Sequence, residues 1–318
     1  MGRRRHAAAT RGANRMSIKS LTVVRPIAVT PAMLVSTNVP EADYPAWASG
    51  TTYAVGARVI HLGTHKVYQS AQDGNVGKDP TTTLGFWAEV GATNRWKVFD
   101  RSVSSQTAQA SSIQYRLRPG QAITSLAVLN LSGTTSMRVR VIDPAYGTVY
   151  DKTVDLSRQP VAAGWWQWFF GERRMPTQSV QMDLPSFPGA DVLVDIMGGA
   201  TLAVGVLLLG QVRTFGLGVK AGARVGIQDY SRKERTEFGD VVVVERAFAK
   251  RASFSLLLTA AEVDSFNDFL AEVRATPCLW VGSERYASTT VYGFYKSFDI
   301  VISYYDYSDS ELELEGLT

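Results

Sequence analysis

Short runs of alternating apolar and polar residues, separated by Gly and Pro, most constrain what this chain can fold into. Between residues 95 and 215 such runs occur at 113–117, 137–141 and 148–154, with a turn at Asp143-Pro144. Successive side chains of a strand point to opposite faces, so alternation indicates half-buried strands. Strands of this length and spacing predict a β-sandwich over 95–215, of the jelly-roll or a related type.

Glycines divide three further apolar runs of the same region. The run 125–131 precedes Gly133-Thr134, while 191–197 and 202–209 flank Gly198-Gly199. Because Gly readily adopts the positive φ that turns require, we expect the chain to turn at both glycine positions.

Aromatic residues and glycines alternate between Trp47 and Trp87. Two β-prone runs, 57–61 and 65–68, lie between the glycines. The pattern predicts a three-stranded miniature domain over residues 44–94. A domain this small needs bulky side chains to bury enough surface, so the aromatic residues are either its core or ligand contacts. The four residues to which both interpretations apply are Trp47, Tyr53, Tyr68 and Trp87.

The last hundred residues, 216–318, predict an α+β domain. Thr259 and Glu262 have the spacing of a capping box at a helix start. The apolar residues that follow at helical spacing are Val263, Phe266, Phe269, Leu270 and Val273. Strands are predicted before the helix and at 278–281, 291–297, 300–305 and 311–317, so the helix should pack on an antiparallel sheet.

Residues 1–43 predict a basic, disordered tail followed by an extended arm. Residues 1–20 hold six basic side chains and no acidic one. Because the whole chain has a formal net charge of +4, the remainder is net acidic and indicates no specific nucleic-acid partner. Pro26, Pro31 and Pro40 exclude a long helix from 19–43. We expect this arm to cross the chain's own body or a neighbouring subunit.

The sequence offers no recognisable active site, cofactor motif or membrane segment. Its single cysteine, Cys278, lies among apolar residues and is expected to be buried. His61 and His65 flank Gly63 in a turn, where they need not converge on a metal. The apolar run 202–209 is too short to insert into a membrane. We therefore expect no catalysis and no cofactor.

The densest aromatic cluster contains Trp165, Trp166, Trp168, Phe169 and Phe170. Alternation along an extended segment would place Trp166 and Trp168 on one face. Such a cluster serves either as core on one side or as an exposed docking or sugar-stacking face. The core interpretation is the preferred one.

The miniature domain resembles the chitin- and cellulose-binding modules of carbohydrate-binding families 5 and 12. The resemblance covers residues 44–92 and is carried by Trp47, Tyr53, Tyr68 and Trp87, together with Gly50, Gly56, Gly63 and Pro80. It implies that these four aromatic residues contact carbohydrate. The chain departs from the family where an exposed aromatic pair usually follows the second tyrosine, since Ala71-Gln72-Asp73 stands there.

Residues 20–318 as a whole resemble tail or baseplate proteins of long-tailed bacteriophages that carry such a module. The resemblance rests on the lead into and out of the module at 41–47 and 91–100, on 225–231, and on the closing segments 291–295 and 312–317. The 95–215 region is similar in rhythm to galactose-binding-like sandwiches. The fold class implied is multidomain and mainly β.

Three hypotheses of function follow. The tail resemblance implies a virion structural protein of the tail tip or baseplate, assembled in the host cytoplasm. Its partners would be other tail proteins, further copies of itself in a trimer or hexamer, and host surface polysaccharide. The alternatives are a stand-alone carbohydrate-binding adhesin or lectin, and a polysaccharide-degrading enzyme, although the sequence lacks the carboxylate motif that chitinases carry.

Overall fold

The computed structural model describes residues 20–83, 85–157, 165–170, 175–235, 240–283, 285–302 and 306–317. The chain is mainly β, with 53% of residues in strands and 9% in helices. Its described strands form a large antiparallel sheet, a three-stranded sheet and a two-stranded sheet. The predicted disordered tail falls on residues that lie outside this description.

The strands of the first half are β1 (Leu21–Pro26), β2 (Leu34–Thr37), β3 (Arg58–His61), β4 (Lys66–Ser70), β5 (Trp87–Ala92), β6 (Thr107–Ala108), β7 (Ser112–Leu117), β8 (Ser125–Asp143) and β9 (Gly147–Asp155). Those of the second half are β10 (Gln178–Gln181), β11 (Asp191–Phe215), β12 (Gly218–Val219), β13 (Arg224–Asp229), β14 (Arg232–Arg235), β15 (Val241–Val244), β16 (Phe248–Thr259), β17 (Cys278–Val281), β18 (Thr290–Val301) and β19 (Tyr307–Gly316).

The first strand, β1, lies in the middle of the large sheet. It pairs antiparallel with β11 on one edge and with β17 on the other. Leu21, Val23 and Val24 are fully buried. Side chains pack on both faces of this strand, which explains why apolar residues occupy successive positions. The sheet runs in the order β10-β8-β11-β1-β17-β18-β19-β16-β12. The extended segment at 19–43 was predicted to cross either the chain's own body or a neighbouring subunit. Its first strand, β1, lies within the chain's own sheet.

The turns predicted at Gly133-Thr134 and Gly198-Gly199 are wrong, because β8 and β11 continue through them. The register between the two strands shifts on both sides of Gly198. Gly133 has a φ of +64°, and a Cβ on Gly198 would lie 2.2 Å from the carbonyl oxygen of Gly133. These glycines therefore permit an irregularity in the ladder and a close approach of two backbones.

The predicted C-terminal helix is confirmed as α2 (Ala260–Val273). Phe266, Phe269, Leu270 and Val273 are buried against the large sheet. The ring centroid of Phe215, at the end of β11, lies 4.6 Å from that of Phe266. A side chain of this size contributes about 2–3 kcal/mol when fully buried, so α2 is held by its apolar face. No helix of the described ranges is long and apolar enough to cross a bilayer.

The aromatic cluster at 165–170 forms a short helix, α1 (Trp165–Phe170), so the predicted alternation is wrong. Short apolar runs suit either a helix or a strand, and local pattern cannot choose between them. Trp165, Trp166 and Phe169 are exposed, which overturns the core interpretation for these three. The side chains of Trp168 and Phe170 lie outside the described part.

The three strands predicted for the small module are confirmed as an antiparallel sheet in the order β3-β4-β5. In the middle strand, Val67 and Tyr68 are buried on opposite faces. A register shift separates these two residues in the β4–β5 ladder. Such a shift increases the local twist, and the sheet wraps around its aromatic residues.

Candidate functional site

The four residues predicted to bind carbohydrate converge in one place, where they pack against each other. Tyr53, Tyr68 and Trp87 are 9%, 7% and 9% exposed, and Trp47 packs against them partly buried. The rings of Tyr53 and Trp87 meet edge to face with centroids 5.3 Å apart. This geometry stabilises aromatic pairs beyond the surface that they bury. The cluster is the hydrophobic core of the module.

The polar ends of two of these rings are bonded inside the module. Trp87 Nε1 donates to the carbonyl oxygen of Lys78 at 2.9 Å, and the Tyr53 hydroxyl accepts from the amide of Ala48 at 2.9 Å. Each ring therefore combines apolar burial with a satisfied polar atom. Carbohydrate binding through Trp47, Tyr53, Tyr68 and Trp87 stays a prediction.

The segment Ala71-Gln72-Asp73, which stands where related modules carry an exposed aromatic pair, forms an exposed polar turn. Asp73 Oδ1 accepts from the amide of Val55 at 2.8 Å. Gln72 Nε2 donates to the carbonyl oxygen of Gly85 at 3.2 Å. These side chains hold neighbouring loops together and provide no ring face for a sugar.

A buried carboxylate, Glu41, fastens the module to the chain on either side of it. Its side chain is 5% exposed. It accepts from Thr93 Oγ1 at 2.8 Å and Arg95 Nη1 at 3.3 Å, and its Oε1 lies 2.9 Å from His65 Nδ1. The His65 ring stacks on Trp96 with centroids 4.5 Å apart. Sequence reasoning missed Glu41, because each of these partners is distant along the chain.

The two histidines of the module diverge. His61 Nδ1 lies 3.1 Å from Thr64 Oγ1, whereas His65 turns to Glu41. Within the described ranges, no group of three or more His, Cys, Asp or Glu side chains could hold a metal ion. Cys278 is fully buried, as predicted, and burial raises the pKa of its thiol to about 12. A thiol in this state is a poor nucleophile at neutral pH.

An open polar groove of about 680 Å³ lies on the large sheet, with Arg116, Arg138 and Arg140 among its lining residues. Each arginine is already bound to a carboxylate: Arg116 to Asp191, Arg138 to Asp151 and Arg140 to Asp195. Ion pairs of this kind neutralise the charge that would attract an anion. The groove is a paired polar surface of the sheet.

An exposed apolar surface lies on the strand pair β14 and β15. Within the described part of the chain these strands pair only with each other. They extend the hairpin of β13 and β16 past a break at 230–231. From here on, the arm means this strand pair (232–235 and 241–244) and not the extended segment at 19–43. The side chains of Val241, Val242, Val243 and Val244 are 57%, 50%, 58% and 46% exposed.

Carboxylates near the arm are ordinary surface charges. Hydrogen bonds from Ser231 and Lys233 lower the pKa of the exposed Asp229 carboxyl, and Glu234 pairs with Arg232. Asp229 and Glu234 therefore have separate cationic or hydroxyl partners. They do not form a paired acid and base.

A scan of protein-family models, a search of curated proteins and a search of solved structures each found no match to this chain.

Proposed function

We propose that the chain is a structural component of the tail tip or baseplate of a long-tailed bacteriophage. It assembles in the host cytoplasm with other tail proteins and with further copies of itself, as a trimer or hexamer. The exposed apolar arm is the observation that carries this proposal. The resemblance of residues 20–318 to tail proteins supplies the class of assembly.

The arm is built in a way that favours a covering partner. An isolated two-stranded hairpin is marginally stable in water, and an isolated valine gains about 1.5–3 kcal/mol only when it becomes buried. Here four consecutive valines stay at least 46% exposed, on both faces of the hairpin. Exposed patches of this kind are typical of protein–protein interfaces. Burial by a neighbouring subunit would stabilise the arm.

The finer architecture supports the same role. We propose that β2 and β6–β11 form a sandwich of the jelly-roll or galactose-binding-like type, with a shared core that includes Ile113, Val139 and Val194. Glu41 binds Thr93 of the module at 44–94 and also Arg95, whose carbonyl oxygen accepts from Tyr115 of β7. The module's resemblance to carbohydrate-binding modules supports a second role, contact with host surface polysaccharide.

Light scattering across a range of concentrations tests the assembly role. The full chain is measured alone and after co-expression with the products of adjacent genes. We expect a closed oligomer of three or six copies, or a complex with a neighbouring product. A chain that stays monomeric alone and forms no such complex would contradict the proposal.

A double variant and a matched control locate the surface. Val241→Asp with Val243→Asp should abolish assembly, because two desolvated carboxylates would be costly in an interface. Val55→Asp with Val90→Asp alters two equally exposed valines of the small module and should assemble normally. Equal assembly of both variants would show that the arm is not the assembly surface.

A further inference from the structure

We infer that the arm of one copy docks on the outer face of β18 and β19 of a second copy, in a head-to-tail contact. The arm's basic face (Lys233, Arg235, Val241 and Val243) would meet an acidic ridge (Asp299, Glu311 and Glu313). The inference deepens the assembly role and rests on it, and it names the partner and both contacting surfaces.

The register of the arm defines its basic face. Lys233 pairs with Val243, and Arg235 pairs with Val241. Directly opposed residues of an antiparallel pair point to the same side, so two cations and two exposed valines share this face. Arg235 has no ion pair among the described residues. Lys233 forms an ion pair with Asp229 at the edge of this face. The opposite face holds Arg232 and Glu234, whose charges cancel.

The acidic ridge follows from the alternation along β19. Leu312 and Leu314 are buried in the core under α2, so Glu311 and Glu313 point to the outer face. Asp299 of β18 lies directly opposite Glu311. Like charges in opposed positions destabilise a sheet, and a cation placed between them would relieve the repulsion.

The ridge has no cation of its own within ion-pair distance in the part of the chain that is described. Glu311 accepts a hydrogen bond only from Ser253 Oγ at 3.3 Å. Arg224, Arg251 and Lys296 line the groove beside Glu311 and Glu313 without forming a salt bridge to them. The nearby Asp309 differs, because it is bound to Lys220.

The two surfaces match in spacing as well as in charge. Lys233 and Arg235 are two residues apart on an extended strand, as are Glu311 and Glu313. Each pair therefore repeats at about 6.6–6.8 Å. Val301, two residues beyond Asp299 on the same face, is 62% exposed. It offers an apolar contact for Val241 or Val243.

A second copy is the occupant, because the chain carries both halves of the contact at separate places. The arm's valines, Asp299 and Glu311 are exposed within one chain, and Glu313 is half-buried, so the arm does not cover its own ridge. A contact between two different surfaces of identical subunits is heterologous. Repetition of such a contact closes into a ring or extends as a filament.

Charge reversal tests the contact in the full chain. Lys233→Glu with Arg235→Glu makes the arm acidic, and Glu311→Lys with Glu313→Lys makes the ridge basic. Each variant alone should self-associate about a hundredfold more weakly, since like charges then face each other. A chain that carries all four substitutions should associate again, because its acidic arm then meets the basic ridge of the next copy. The recovery also shows that the substitutions leave the chain folded.

One control variant and three contrary outcomes make the test decisive. Lys78→Glu with Lys152→Glu changes the same charge on other surfaces and should associate as the unmodified chain does. Reversed variants that associate normally, or a fourfold variant that does not recover, would overturn the inference. A chain that remains monomeric alone would also overturn it. The assembly role would still stand if the unmodified chain bound a neighbouring tail protein and the Val241→Asp, Val243→Asp variant did not.

Discussion

Trp87 shows at the scale of one residue how an aromatic side chain can resemble a ligand contact and serve as core. Its ring is 9% exposed, meets Tyr53 edge to face, and bonds through Nε1 to Lys78. Trp87→Ala should destabilise the small module by about 3–5 kcal/mol, because it removes this burial and leaves a cavity. Hydrogen exchange of the β3, β4 and β5 amides in the full chain measures the loss.

Val90→Ala, on the same strand and exposed, is the matched control and should leave exchange in the module unchanged. Exchange should also stay slow in the large sheet of the Trp87→Ala variant. A variant that keeps its protection but loses glycan binding would mean that Trp87 is a sugar contact and not core.

At the scale of one element, α2 illustrates how far a local signal reaches. The sequence predicted its capping box and its apolar stripe, and both are confirmed. The structure adds that Glu262 accepts from Thr259 Oγ1 at 2.8 Å, and from the amide of Gly216 at 3.3 Å. The cap therefore also ties the helix to the end of β11.

Glu262→Ala should lower the free energy of unfolding by about 1–2 kcal/mol, because the amides of Thr259 and Gly216 lose their carboxylate acceptor. Glu262→Gln keeps a carbonyl acceptor and should recover most of the loss. Urea unfolding followed by circular dichroism compares the variants. Asp268→Ala, on the exposed face of the same helix, should change stability by less than about 0.5 kcal/mol. An equal loss for Asp268→Ala would refute the role of the cap.

Elements also show where local signals fail. Alternation predicted an extended segment at 165–170, which is helical, because a run of six residues with five aromatic side chains fits either period. Glycine predicted turns in β8 and β11, yet both strands continue. A turn and a bulge use the same residue, and only the neighbouring strand decides which one forms.

At the scale of the whole molecule, stability depends on contacts between distant parts of the large sheet, and Asp191 at the start of β11 is one of them. Burial alone would raise the pKa of this carboxyl, but hydrogen bonds from Arg118 and Arg116, with their charges, lower it below the ordinary 3.8. The unfolded chain therefore binds a proton more readily than the folded one. The stabilisation is complete well above pH 3.8 and is lost as the pH falls through the folded-state pKa.

Asp191→Asn should reduce the free energy of unfolding at neutral pH by about 1–3 kcal/mol, since both arginines lose a charged acceptor. It should also flatten the decline of stability in acid. Urea unfolding at a series of pH values from neutral to acid measures both effects. Asp268→Asn serves as a surface control and should follow the unmodified chain. An unchanged slope for Asp191→Asn would exclude this carboxyl as a source of the acid sensitivity.

The sequence by itself determined the features that depend on neighbours along the chain. Alternation identified most strands, the spacing of Thr259 and Glu262 marked the start of α2, and apolar surroundings predicted the burial of Cys278. Each of these signals is local, because a strand face, a helix cap and an apolar run lie within a few residues.

Only the tertiary structure decided what depends on distant residues. It placed β1 between β11 and β17, assigned Tyr53, Tyr68 and Trp87 to the core, and gathered His65, Thr93 and Arg95 around Glu41. It also left the arm's valines uncovered. The physical reason is that burial and pairing are set by which surfaces meet in space, and residues of one local pattern can meet a core, a solvent face or another subunit.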